Sequence, residues 1–158
     1  MTAAVVVSLR VKATPRETFE VFTQEIGLWW KPNGLFQLTP RGDGQLRFEP
    51  GEQGRLVTDL PNGRTFEIGR INLWVPGERL SFSWRQGTFA PNQTTHVEVR
   101  FEPVGDETRV TVEHRGWDTI PQEHVARHGF PLQPFQMRQA EHWRALLAAL
   151  AAQAATRR

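Results

Sequence analysis

The chain contains no cysteine and no tyrosine, and only two methionines in 158 residues. Without cysteine there are no disulfides, no thiolate-ligated metals and no cysteine nucleophile. No apolar run approaches the roughly 20 residues of a membrane span. Met1-Thr2-Ala3-Ala4 passes straight into Val5-Val6-Val7 with no basic lead and no small-residue cleavage site, so the start reads as a strand and the expected compartment is the cytoplasm. Charge of one sign is also scarce. The net charge is +2 although the pI is about 9.9, because a chain lacking Tyr and Cys has few groups that titrate between His and Lys. The arginines are spread singly along alternating stretches rather than gathered on one face, which argues against a nucleic-acid partner. Gly-x-Ser-x-Gly, a phosphate-cradling glycine loop and a dinucleotide fingerprint are all missing. No cofactor is implied.

Aromatic residues, by contrast, are plentiful: six tryptophans and ten phenylalanines. An apolar share of 39% with 23% charged residues fits one folded domain over residues 1–158 with one core. Val5, Val7, Leu9 and Val11 alternate with Val6, Ser8, Arg10 and Lys12, which predicts a strand with one apolar face. Thr14-Pro15-Arg16-Glu17 carries a helix cap, a first-position proline and a capping-box glutamate. Two short helices follow, back to back, with Gly27 as the interruption and Lys31-Pro32-Asn33-Gly34 as the stop.

From about Leu35 to Arg115 the pattern is strand after strand, six or seven of them. The turn signals fall at 40–44, 50–54, 61–63, 76–77, 87–92 and 105–106. Leu80/Phe82/Trp84, Val97/Val99/Phe101 and Val110/Val112/His114 each alternate cleanly with polar neighbours, as in an antiparallel sheet with one face covered. The period then changes. From Pro134 to about Ala155, Phe135, Gln139, His142, Trp143, Leu146, Leu147 and Leu150 recur every three or four residues. A helix of about 20 residues spans roughly 30 Å. A one-faced sheet and one long amphipathic helix must bury their apolar sides against each other, so the sheet is expected to curl around the helix and leave an apolar cavity. The fold class is therefore α+β of the helix-grip type: six to eight curved antiparallel strands, a long C-terminal helix and two short helices after the first strand.

Several stretches carry a resemblance. Pro76-Gly77-Glu78-Arg79-Leu80-Ser81-Phe82-Ser83-Trp84 resembles the "P-x-x-R-L-x-(F/Y)-x-W" stretch of the AHSA1-like family, the homologues of the activator of Hsp90 ATPase. Thr108 to Trp117 is similar to that family's "T-x-V-x-(L/V)-x-H-x-G-(W/F)" strand. Trp29-Trp30 matches its aromatic pair and Gly69-Arg70-Ile71 its "G-x-(V/I)" strand. The match covers essentially the whole chain, with Gly129-Phe130 in place of a frequent Gly-Trp, and with Thr58 near a position where the family often has glutamate. The resemblance implies the START/Bet v 1-like superfamily, a hydrophobic-ligand cavity and, from the family's name, a possible chaperone partner.

An aromatic side chain in such a fold either fills the core or lines the pocket. Inward parity selects Trp30, Phe48, Phe66, Trp84, Phe101 and Trp143 as lining candidates. His114 shares the face of Val110 and Val112; it is either a hydrogen-bonded buried histidine or a polar anchor and general acid/base. His142 lies on the apolar stripe of the last helix, and Glu67 shares parity with Gly69 and Ile71. Three functions remain open. One is a binding module for a small apolar molecule. Another is a partner-binding co-chaperone, and the last a cyclase- or hydrolase-like enzyme using His114 with Glu67 or Arg55. His124 and His128 have the spacing of a metal pair but no third ligand, so no metal is expected. Segment 120–134 is long and Pro-rich enough for a lid. A monomer or homodimer is expected, with no membrane partner.

Overall fold

A computed structural model describes residues 4–30, 45–61, 63–85, 94–116, 120 and 131–156. In chain order the elements are β1 (Ala4–Val11), α1 (Pro15–Gln24), α2 (Ile26–Trp29), β2 (Gln45–Phe48), β3 (Arg55–Asp59), β4 (Thr65–Val75), β5 (Arg79–Trp84), β6 (Thr95–Val104), β7 (Glu107–Arg115) and α3 (Leu132–Ala155). The seven strands form one antiparallel sheet in the order β1-β7-β6-β5-β4-β3-β2. Only the β1–β7 neighbourhood departs from a meander, because β1 joins the free edge of the last strand. The sheet is curled, with α3 and the two short helices packed on its apolar face.

Local chemistry explains each boundary. Thr14 accepts from the Glu17 amide while the Glu17 carboxylate accepts from the Thr14 amide, at 3.1 and 3.0 Å. This reciprocal cap starts α1 one residue before Pro15. The break between the short helices falls at Glu25 and not at Gly27, which lies inside α2. Gly27 serves a close approach instead. A Cβ there would stand 2.8 Å from Gln45 Cγ, and Gln45 Nε2 donates to the Gly27 carbonyl at 3.1 Å. The long helix begins at Leu132, ahead of Pro134, with Pro131 as its cap. Pro134 sits in the first turn, where its missing N–H has no intrahelical partner in any case.

On β5, β6 and β7 the alternation holds throughout, and Leu80, Phe82, Trp84, Val97, Val99, Phe101, Val110, Val112 and His114 are all buried. From α3, the side chains of Phe135, Gln139, His142, Trp143, Leu146, Leu147 and Leu150 are buried. This helix packs along β1 and against α1 and α2, while α1 and α2 lie over β2 and β6. The opposite face of the sheet carries a mosaic of both signs. Glu98 sits between Arg79 and Arg100 at 3.0 and 2.9 Å, Arg115 meets Glu113, and Arg47 holds Asp59 with two hydrogen bonds. The basic pI thus corresponds to no basic patch among the described residues. No helix among them is long and apolar enough to cross a membrane.

The β3–β4 region breaks the parity expected from sequence. Leu56 pairs with Gly69 and Val57 with Glu67, so Ile68 is an extra, unpaired residue. A one-residue insertion reverses the facing of everything before it. Ile68 is fully buried and Glu67 is turned out. Gly69 is required beside this bulge, since a Cβ would collide with the Ser83 carbonyl.

Candidate functional site

Most aromatic residues among those described fall into two groups. The first is a packing cluster of Phe19, Phe22, Phe48, Trp74, Phe82 and Phe101, with ring centroids 5.2–6.4 Å apart and mostly edge-on contacts. Such edge-to-face geometry is how phenyl rings fill a core. The second is a box of indoles beneath α3. Trp30 stacks on Trp84 at 5.2 Å with 27° between planes, and Trp143 meets Trp30 at 5.1 Å and 87°. His142 adds an edge at 6.4 Å. Trp29 bridges the groups, 4.9 Å from Phe22 and 5.6 Å from Trp30.

His114 sits at the floor of the box, hydrogen-bonded at both ring nitrogens. Trp143 Nε1, which can only donate, reaches His114 Nδ1 at 3.1 Å. Nδ1 is therefore an unprotonated acceptor. Thr95 Oγ1 donates its proton to the Trp84 carbonyl at 3.1 Å, and so must accept from His114 Nε2–H at 2.8 Å. The ring is the neutral Nε2–H tautomer. Gln139 Nε2 also points at Nδ1, at 3.2 Å. Complete burial, with His142 and His96 nearby, pushes the His114 pKa down to about 3; burial pushes His142 down to about 4. At neutral pH neither is a cation.

Of the expected site residues, Trp30, Trp84, His114, His142 and Trp143 come together in the box. Phe48 and Phe101 are buried but belong to the packing cluster. Two expectations are corrected. Glu67 is turned out by the Ile68 bulge and pairs with Arg70 at 3.4 Å. Phe66 is 36% exposed, because it lies near the hairpin end of β4 while α3 packs along β1 at the far edge of the sheet. The grouping of His114 with Glu67 or Arg55 does not form either: Arg55 makes a two-pronged ion pair with Glu49, at 2.8 and 2.7 Å. Two residues that sequence reasoning left out of the site belong to it: Thr95 and Gln139 bond His114. Thr95 shares parity with Val97, and Gln139 interrupts an apolar stripe; a polar residue at an inward position was the available signal.

His124, His128 and most of the expected lid lie outside the described residues; Ile120, from that segment, is fully buried. No group of three or more metal-ligating side chains occurs among the described residues. Two clefts do. One of about 310 Å³ lies between α2 and β2–β3, lined by Ile26, Leu28, Gln45, Leu46 and Phe48, and another of about 590 Å³ lies beside the β4–β5 turn, lined by Pro15, Arg79, Arg100 and Phe101. Neither is lined by the indole box.

Among the described residues, four buried side-chain polar atoms have no hydrogen-bond partner: Trp30 Nε1, Gln139 Oε1, Gln136 Nε2 and Thr58 Oγ1. Two of these, Trp30 Nε1 and Gln139 Oε1, belong to side chains that touch Trp143 or share its histidine.

A curled antiparallel sheet gripping a long C-terminal helix, with short helices after the first strand, defines the START/Bet v 1-like class of ligand-binding domain. The comparison with family models is specific: residues 12–154 match the model described as "Activator of Hsp90 ATPase homolog 1-like protein", and the chain belongs to that family. Solved structures share the fold. A protein from Nitrosomonas europaea superposes with TM-score 0.66 at 13% identity, covering 98% of this chain and 96% of its own. One from Mesorhizobium loti gives 0.61 at 17%, with 96% of each chain covered. The anthrahydroquino-gamma-pyrone synthase Txn09, solved in complex with SUM, gives 0.56 at 28% identity over 95% of this chain and 96% of its own. No curated protein matches the chain.

Proposed function

We propose that this domain binds a small, flat, largely apolar molecule against the Trp30–Trp84–Trp143 box. The observation that carries the reading is the box itself: a stacked indole pair crossed at a right angle by a third indole. Flat π-faces held at fixed angles favour a ring-shaped ligand over a branched aliphatic one. The similarity to Txn09, whose name describes a synthase of a fused-ring product, supports the same ligand shape.

Catalysis by His114 draws less support. Its Nδ1 lone pair already takes two donors and its Nε2–H is committed to Thr95. A base with a pKa of about 3 is also too weak for proton abstraction near neutral pH. The chaperone role suggested by the family description would favour a contiguous apolar face. The large exposed apolar side chains described here, Val6, Leu28, Phe66 and Met137, lie on four different elements.

The test is twofold. Native mass spectrometry of the freshly purified protein should show an organic molecule retained from the cell. Naphthalene should quench tryptophan fluorescence saturably, and Trp84→Leu should weaken it severalfold. Absence of saturation with a folded protein would overturn the reading.

A further inference from the structure

We propose that Gln139 and Trp30 read the polar pattern of the ligand: Gln139 Oε1 accepts from a ligand hydroxyl or N–H, and Trp30 Nε1 donates to a ligand carbonyl or similar acceptor. His114 is the positioning residue that fixes which end of the Gln139 amide is presented. The inference rests on the ligand-binding reading above and adds the ligand's chemistry to it: a neutral ring molecule carrying one donor and one acceptor.

The argument starts from the direction of each hydrogen bond. The chain runs from Gln139 Nε2–H and Trp143 Nε1–H into His114 Nδ1, from His114 Nε2–H into Thr95 Oγ1, and from the Thr95 hydroxyl into the Trp84 carbonyl. The direction of these bonds is fixed, because Trp143 can only donate and the backbone carbonyl can only accept. Turning the Gln139 amide over would set Oε1 against the Nδ1 lone pair, two acceptors face to face. The amide nitrogen is thus held on His114 and Oε1 is left facing elsewhere, without a partner.

Gln139 is 3% exposed and Trp30 7%, so bulk water does not satisfy either atom. An unpaired buried polar atom costs about 1–3 kcal/mol, and native folds keep few of them. Two neighbouring indoles give the contrast. Trp29 Nε1 donates to the Val21 carbonyl at 3.1 Å and Trp143 Nε1 to His114, while Trp30 Nε1 has nothing. Trp30 and Gln139 flank one residue: Trp143 lies against the Trp30 ring, and it shares the His114 Nδ1 acceptor with Gln139. One unsatisfied donor and one unsatisfied acceptor around a single indole match a ligand with the complementary pair.

The test uses four probes of similar ring size in mildly acidic buffer, where a phenol keeps its proton: naphthalene, 2-naphthol, 7-methoxycoumarin and 7-hydroxycoumarin. The intact protein should bind 7-hydroxycoumarin roughly five- to tenfold more tightly than 7-methoxycoumarin, the worth of one neutral hydrogen bond. Gln139→Leu should bring that ratio to about one. Trp30→Phe should weaken both coumarins by a clearly larger factor than it weakens naphthalene. His114→Asn, if its circular dichroism is native, should reduce the hydroxy-over-methoxy ratio without abolishing naphthalene binding, which a purely structural histidine would not do. A ratio near one in the intact protein, or a ratio unchanged in folded Gln139→Leu, overturns this inference and leaves the ligand-binding reading standing. Failure of all four probes, naphthalene included, overturns both.

Discussion

Two tryptophans in one box, Trp143 and Trp30, have opposite situations. Trp143 sits in the middle of a 24-residue helix, its ring buried and its N–H given to His114. Trp30 caps a four-residue helix, its ring also buried and its N–H given to nothing. The same side chain is a structural member of a closed hydrogen-bond network in one place and an unfinished polar contact in the other. Burial alone therefore does not separate core from site. The hydrogen bonds add a second criterion, because native folds leave few buried polar atoms unpaired.

This contrast can be broken most forcefully on the structural side. Trp143→Ala should cost about 3–5 kcal/mol in urea unfolding, as large aromatic truncations in cores do. Acid is the next lever. The unfolded chain's histidines titrate near 6.5, whereas His114 and His142 are held down to about 3 and about 4. The unfolded state binds protons that the folded state refuses. Stability is thus complete above 6.5 and falls as pH drops toward 4, by up to about 1.4 kcal/mol per pH unit for each histidine. Unfolding curves between pH 7 and pH 4 should show it, and His142→Gln should make the slope clearly shallower. A smaller effect sharpens the surface side. Arg47→Ala removes an exposed ion pair with Asp59 and should cost less than about 1 kcal/mol by the same unfolding measurement. Glu67→Ala and Phe66→Ser should leave naphthalene affinity unchanged, since neither side chain faces the box.

Most of the architecture was legible in the sequence for a physical reason. On β5, β6 and β7 every second residue faces one way without interruption, so Leu80 to Trp84 and Val110 to His114 could be placed by parity alone. The α3 stripe was equally regular, and the Thr14–Glu17 cap identified itself. Parity failed at β4, where a single extra residue, Ile68, reversed the facing of Glu67. A bulge has little compositional signature of its own. Gly69 was the hint, since a glycine inside a strand marks a close backbone approach. At the site, the tryptophans and histidines were recognisable as inward residues, but which of them had partners was not. That depends on Thr95, 19 positions from His114, and on Gln139, 25 positions away, and such pairings exist only once the sheet has curled onto the helix.

The most direct test compares two substitutions that delete the same atoms. Trp143→Phe and Trp30→Phe each shrink an indole to a phenyl ring, with similar loss of volume, and differ in whether the deleted N–H was bonded. The account predicts that Trp143→Phe is the less stable variant by about 1–3 kcal/mol in urea unfolding, while Trp30→Phe is the one that loses affinity for 7-hydroxycoumarin. Equal destabilisation by both, with coumarin binding untouched in Trp30→Phe, would contradict it.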